Sequence, residues 1–133
     1  MQTDLSIERV TLTASAVRFL LVGAVNTLVG LSIIYLLKFL GIGDVVANAS
    51  GYGIGVVVSF ALNRNWTFQH VGPAIPAAAR FLLVFAIAYI ANLEAVLAMI
   101  HVLNANAYLA QALGVPVYTT LFYLGSRYFA FPR

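Results

Sequence analysis

None of the 133 residues is cysteine. That excludes disulfides, thiolate catalysis and cysteine-ligated metals. Charge is nearly as scarce, at 8% of the chain, against about 25% in an ordinary soluble domain. No glycine-rich nucleotide loop, no Ser/His/Asp triad and no metal-ligand spacing occurs, and the two histidines, His70 and His101, are far apart. An enzyme active site therefore has little to stand on, and no cofactor or metal is expected. What the chain has instead is apolar surface. Hydrophobic residues make up 62%, where about 45–50% is usual. A soluble fold of this size could not hide so much, so the bilayer is the expected solvent and an all-α membrane protein the expected fold class.

The charges fall at the ends of the apolar runs. A membrane-spanning helix needs about 20 mostly apolar residues, and four stretches qualify: residues 19–37, 45–62, 81–103 and 107–125. The first is bracketed by Arg18 and Lys38, and Gly41-Ile42-Gly43-Asp44 turns the chain into the second. A loop over 69–79, with Gly72, Pro73 and Pro76, precedes the third. Asn104-Ala105-Asn106 separates the third from the fourth and is the weakest break. The polar segment 1–16 lacks the basic start and short apolar run of a cleaved signal peptide. Arg9, Arg18, Arg64, Arg80, Arg127 and Arg133 fall on one side of this four-span plan, and Lys38 falls on the other. The positive-inside rule then places both termini and the middle loop in the cytoplasm and argues against dual topology. Basic residues this sparse act as topology signals, not as a nucleic-acid surface.

The chain also repeats within one domain, 1–133. Arg18-Phe19-Leu20-Leu21-Val22 returns as Arg80-Phe81-Leu82-Leu83-Val84, and Ala47 to Gly51 returns as Ala110 to Gly114. Arg64 and Phe68 fall on Arg127 and Phe131. The halves, about 18–68 and 80–131, read as two tandem helical hairpins of the same orientation, related by a pseudo-two-fold axis along the membrane normal.

Four groups of residues could carry function. Ala47, Gly51, Gly55 and Ser59 form a small-residue stripe on the second span, with Gly23, Asn26 and Gly30 as a comparable face on the first. Such faces let helices approach closely in lipid, and a substrate groove on the same faces is the less favoured use. Asn26 is an amide inside a span and should bond across to another helix or to a substrate. Glu94 lies mid-span, about 20 Å of helix from Arg80 at about 1.5 Å per residue. A carboxylate at that depth is a functional hypothesis by default. It could exchange protons or meet a polar headgroup in transit, or it could be satisfied by Asn26, Asn92 or a tyrosine. Asn92 points to the opposite side of the same helix, so Glu94 and Asn92 share a site only if that helix is irregular. The fourth group is Arg18, Arg64, Arg80 and Arg127, with Trp66 and Phe68 nearby. Guanidinium forks suit phosphate oxygens, and the alternative is plain anchoring of helix ends at anionic headgroups.

Two segments resemble a known family. Arg18-Phe19 through Gly23, Asn26-Thr27 and Gly30 resemble the first-span signature of the GtrA-like family. Phe60-Ala61-Leu62-Asn63-Arg64-Asn65-Trp66-Thr67-Phe68 resembles its F-x-x-N-R-x-W-x-F exit from span two. The resemblance implies a small multi-pass protein of the bacterial inner membrane in cell-surface polysaccharide synthesis. Members are assigned to flipping a polyprenyl-phosphate-linked sugar, such as undecaprenyl-phosphate glucose, to modify O-antigen, teichoic acid or another envelope glycan. The expected partners are that lipid-linked sugar and membrane lipids, with a parallel homo-oligomer as a further expectation. Two alternatives stand beside it. One is a non-transporting subunit that positions or stabilises a membrane glycosyltransferase. The other is a small proton-coupled exporter using Glu94, which the one-sided arginines disfavour.

Overall fold

A computed structural model describes residues 1–132; Arg133, counted above among the cytoplasmic arginines, lies outside the described residues. The described residues form four α-helices, α1 Gln2–Phe39, α2 Asp44–Leu62, α3 Ala74–His101 and α4 Ala107–Gly125, and contain no strand. Both α2 and α4 run on into a five-residue π-helical turn, Asn63–Thr67 and Ser126–Ala130 respectively. We call these the exit turns. The chain divides into two compact units, Met1–Gln69 and from His70 onward.

Three segments are long and apolar enough to cross a membrane: Gln2–Phe39, Asp44–Thr67 and Ala74–His101. The chain is thus a multi-pass membrane protein. The fourth helix has 19 residues, about 28 Å at 1.5 Å per residue. Gln111, Pro116, Thr119 and Thr120 dilute its apolar character, so composition alone does not place it with the other three.

Two boundaries differ from the sequence reading. The helix containing the first span begins at Gln2, not near residue 18, and runs unbroken for 38 residues. Its hydroxyls bond back onto their own helix, Thr11 Oγ1 to the Ile7 carbonyl and Thr13 Oγ1 to the Arg9 carbonyl, each at 2.9 Å. That removes the usual objection to polar residues in a helix interior. The helix containing the third span begins at Ala74, with Pro73 at its N-cap and Pro76 in its first turn. Proline is tolerated there because the first-turn N–H groups have no partner inside the helix. The loop expected over 69–79 shrinks accordingly.

The turn between α1 and α2 has a clear physical cause. Gly41 sits at φ +83°, a conformation glycine adopts without strain. The Gly41 N–H donates to the Lys38 carbonyl and the Ile42 N–H to the Leu37 carbonyl, at 3.0 and 2.9 Å. This is a Schellman cap, which satisfies carbonyls that a helix end would leave bare. Lys38 and Asp44 close the turn with an exposed ion pair at 3.3 Å. Between α3 and α4, Asn104 takes φ +51°. The Asn106 side chain then caps α4 by accepting from the Tyr108 N–H at 2.8 Å.

Packing inside each unit follows rows of residues four apart, the ridge that most often seats one helix on another. In the first unit the α2 row Ala47, Gly51, Gly55, Ser59 is buried. It meets the α1 row Asn26, Gly30, Ile34, with Gly30 and Gly51 in direct backbone contact. In the second unit Gly114 faces Asn92 and Val96, and Gly125 faces Val84. Gly23, expected on the packed face, lies one row away: no atom comes within 4 Å of where a Cβ would stand. The drift of a four-residue row around the helix carries the seam past it.

Candidate functional site

The C-terminal end of a helix presents carbonyls without intrahelical partners and a partial negative charge. In both units that end is widened into a π-helical turn and held by an arginine from the preceding helix. The first exit closes with the Phe68 N–H donating to the Asn63 carbonyl at 2.9 Å, and the second with the Phe131 N–H donating to the Ser126 carbonyl at 2.8 Å. Single π turns occur frequently at functional sites.

Arg18 donates from Nη1 to the Trp66 carbonyl at 3.1 Å, and its guanidinium lies 5.4 Å from the centre of the Trp66 ring. Arg80 makes the matching clasp with two bonds, Nε to the Phe129 carbonyl at 3.0 Å and Nη2 to the Ala130 carbonyl at 3.1 Å. Beneath each clasp an aromatic pair fills the core, Phe19 with Phe68 at 6.2 Å and Phe81 with Phe131 at 5.7 Å between ring centres. The position that ends each α-helical stretch is polar and buried, Asn63 in one unit and Ser126 in the other. The Asn63 amide donates to Ser59 Oγ at 3.2 Å.

The structure therefore joins Arg18 to Trp66 in one unit and Arg80 to the second exit in the other. Arg64 and Arg127 lie on the exit turns themselves, half-buried. Arg64 reaches the neighbouring Asn65 Oδ1 at 3.5 Å, and Arg127 lies 5.5 Å from the Tyr128 ring centre. Arg18 and Arg80 thus have a backbone task that the sequence reading did not assign. An arginine placed just before the first apolar run of each hairpin, Arg18 and Arg80, with the hairpin's second helix ending in open carbonyls, is the signal that could have shown it. Because Arg80 holds two carbonyls with charge-assisted bonds, Arg80→Ala is expected to destabilise the second unit by about 2 kcal/mol. Arg80→Lys should recover part of that, since an ammonium cannot fork onto both oxygens. Arg18→Ala, losing one such bond, should have a smaller effect. Unfolding midpoints in mixed micelles measure all three.

The mid-span polar residues are placed as follows. Asn26 directs Oδ1 at Gly55, where a Cβ would come within 2.6 Å. That buried oxygen has no hydrogen-bond partner among the described residues. Asn92 directs Oδ1 at Gly114 across α3 and α4. Glu94 is exposed. It lies two residues from both Asn92 and Val96, on the side of α3 turned away from α4, so Glu94 and Asn92 are not brought together. Among the described residues no group of three or more His, Asp or Glu side chains could hold a metal ion.

A family model described as GtrA/DPMS, transmembrane domain, matches residues 18–131. The chain belongs to that family. The match opens on Arg18 of the first clasp and closes on Phe131 beneath the second, so the GtrA/DPMS region contains both clasps and both exit turns. Membership associates the chain with polyprenyl-phosphate-sugar transport or synthesis. No curated protein gives a significant match to the chain.

Proposed function

We propose that this chain translocates a polyprenyl-phosphate-linked sugar across the bacterial inner membrane, from cytoplasm to periplasm, for glycosylation of a cell-surface polysaccharide such as O-antigen or teichoic acid. The observation that carries the reading is membership of the GtrA/DPMS family over nearly the whole chain. On this reading all four helices cross the membrane as two tandem hairpins of like orientation, with termini and middle loop in the cytoplasm. Six of the seven basic residues lie at that end, as the positive-inside rule requires.

The phosphate is taken at the arginine end of the units. Arg64 and Arg127 supply guanidinium donors on the exit turns, and Arg18 and Arg80 retain further N–H groups beyond those given to carbonyls. Trp66 borders the first of these seats. The sugar hydroxyls pass polar positions that lower the crossing barrier, namely Asn26, Asn92 and Glu94, and the polyprenyl tail stays in lipid. The unpartnered Oδ1 of Asn26 supports this reading, because a buried acceptor without a donor is destabilising until something donates to it. No covalent bond is made or broken, so the chain acts as a carrier without a cofactor.

Purified protein in liposomes containing a polyprenyl-phosphate sugar provides the test. Translocation, followed by accessibility of the sugar to a membrane-impermeant oxidant, is expected to rise at least about tenfold over protein-free liposomes, a barrier reduction of about 1.4 kcal/mol or more. A rate equal to that of empty liposomes would refute transport by this chain alone. A second reading rests on the family description, which joins GtrA with DPMS: a non-transporting subunit that positions a membrane glycosyltransferase. It predicts co-purification with such an enzyme, and loss of the enzyme's activity without the chain, while liposome translocation stays at background.

A further inference from the structure

The two clasps occupy matching places but spend different atoms. A guanidinium is a planar fork, and bidentate recognition of an oxyanion needs two neighbouring nitrogens that can both still donate. Nε and Nη2 form the side edge of the plane; Nη2 and Nη1 form its end. Arg80 commits the whole side edge, Nε to the Phe129 carbonyl at 3.0 Å and Nη2 to the Ala130 carbonyl at 3.1 Å. Ala130 is completely buried, so this edge is turned into the protein. Among the described residues only Nη1 of Arg80 stays uncommitted, and a single nitrogen makes no fork.

Arg18 does the reverse. It gives Nη1 to the Trp66 carbonyl at 3.1 Å and, among the described residues, commits neither Nε nor Nη2. Its side edge is therefore complete. The same guanidinium lies 5.4 Å from the centre of the Trp66 ring, within reach of a cation–π attraction. Trp66 thus holds Arg18 twice, by its carbonyl and by its ring, and so limits the directions in which the side edge can point. The pair also reaches the surface, with Arg18 half-buried and Trp66 41% exposed.

We infer that the chain has one phosphate seat, in the first unit, and that it takes a phosphodiester headgroup on the Nε/Nη2 edge of Arg18. A phosphodiester has two unesterified oxygens and one negative charge. One guanidinium edge meets both oxygens, and one guanidinium matches the charge. Arg64, on the same exit turn, adds positive charge around the seat. In the second unit Arg127 has no fork from Arg80 to work with, and Arg80 is a structural clasp. The seat rests on the translocation reading in so far as a lipid-linked sugar is one source of such a headgroup; membrane phospholipid is the other.

Trp66 is the single tryptophan of the chain, so its emission reports on this seat. Purified protein in uncharged micelles is titrated with glucosyl octyl phosphate and, separately, with dihexanoyl phosphatidylglycerol, a phosphodiester without a sugar. Affinity is read from Trp66 emission and stoichiometry from calorimetry. No transport is measured, so a failure of translocation in liposomes would leave the result standing. Saturable binding of one ligand per chain is expected. Arg18→Lys, which keeps the charge but not the fork, should raise Kd about tenfold, whereas Arg80→Lys should stay within about twofold of the unaltered chain. Both substitutions touch a clasp, so each chain is compared below its own unfolding midpoint. Tighter binding of the glucosyl ligand supports the seat with a lipid-linked sugar as occupant. Equal or tighter binding of phosphatidylglycerol supports the same fork with phospholipid as occupant. No saturable binding of either ligand, two ligands per chain, an unchanged Kd in Arg18→Lys, or a loss in Arg80→Lys as large as that in Arg18→Lys would each overturn the single seat.

Discussion

Gly51→Ala is expected to destabilise the protein by about 2 kcal/mol, within the range for an overpacked helix contact, whereas Gly23→Ala should stabilise it slightly. The two changes are chemically identical, and in an isolated helix both would gain about 1 kcal/mol of helix propensity. Their surroundings reverse the sign. A Cβ on Gly51 meets the Ile34 side chain and lies 2.7 Å from the Gly30 carbonyl oxygen. The side chain could turn aside, but the carbonyl is backbone, so α1 and α2 must separate. Around Gly23 nothing comes within 4 Å, and the propensity gain is kept. Gly114→Ala falls between them. Its Cβ meets Asn92 Oδ1 and Val96 Cγ2, both side-chain ends that can shift, so about 1 kcal/mol is expected. The order G51A, G114A, G23A in unfolding midpoint, read in mixed micelles, tests whether the close approach of the first helix pair is set by backbone contact. An unchanged midpoint for G51A would mean that the pair is looser than Gly30 and Gly51 indicate.

These glycines also show what the sequence could reveal. The α2 stripe was legible because its four residues are spaced one ridge apart, and the structure buries all four. Gly23 was misplaced because small size was read without the drift of the packing row. The paired exits were legible as sequence, since Arg64 and Phe68 recur as Arg127 and Phe131. Their π geometry was not, because nothing in Asn63-Arg64-Asn65-Trp66-Thr67 separates a five-residue turn from a fraying α-helix. The extension of α1 back to Gln2 was missed for a related reason. Four threonines and serines within residues 3–13 have low helix propensity in isolation, and only the bonds of Ser6, Thr11 and Thr13 back to helix carbonyls reveal how these three are accommodated. Arg64 and Arg127 were legible as the ends of their helices, but the carbonyl partners of Arg18 and Arg80 were not. A helix C-terminus offers carbonyl oxygens, already in place, and Arg18 and Arg80 take them.

That division of labour leads to the second large effect. Arg64→Ala is expected to lower translocation by about tenfold to a hundredfold, equivalent to losing about 1.5–3 kcal/mol of a charge-assisted bond to phosphate, with an unfolding midpoint close to that of the unaltered chain. Arg18→Ala should combine a smaller transport loss with a lower midpoint, because the same guanidinium holds the Trp66 carbonyl. Arg127→Ala should cost less transport than Arg64→Ala. The first exit adds the Asn65 amide and the Trp66 indole beside its arginine, while the buried Asn63 gives its amide to Ser59. The second has Tyr128 and Phe129 in the places of Asn65 and Trp66, which offer a phosphate fewer N–H donors. Arg64→Lys keeps the charge but not the fork, and should fall between the alanine variant and the unaltered chain. Measuring translocation and unfolding on the same preparations separates a phosphate seat from a structural clasp. Equal and mild losses at Arg64 and Arg127 would return both to the role of arginines that fix the helix ends at the membrane surface.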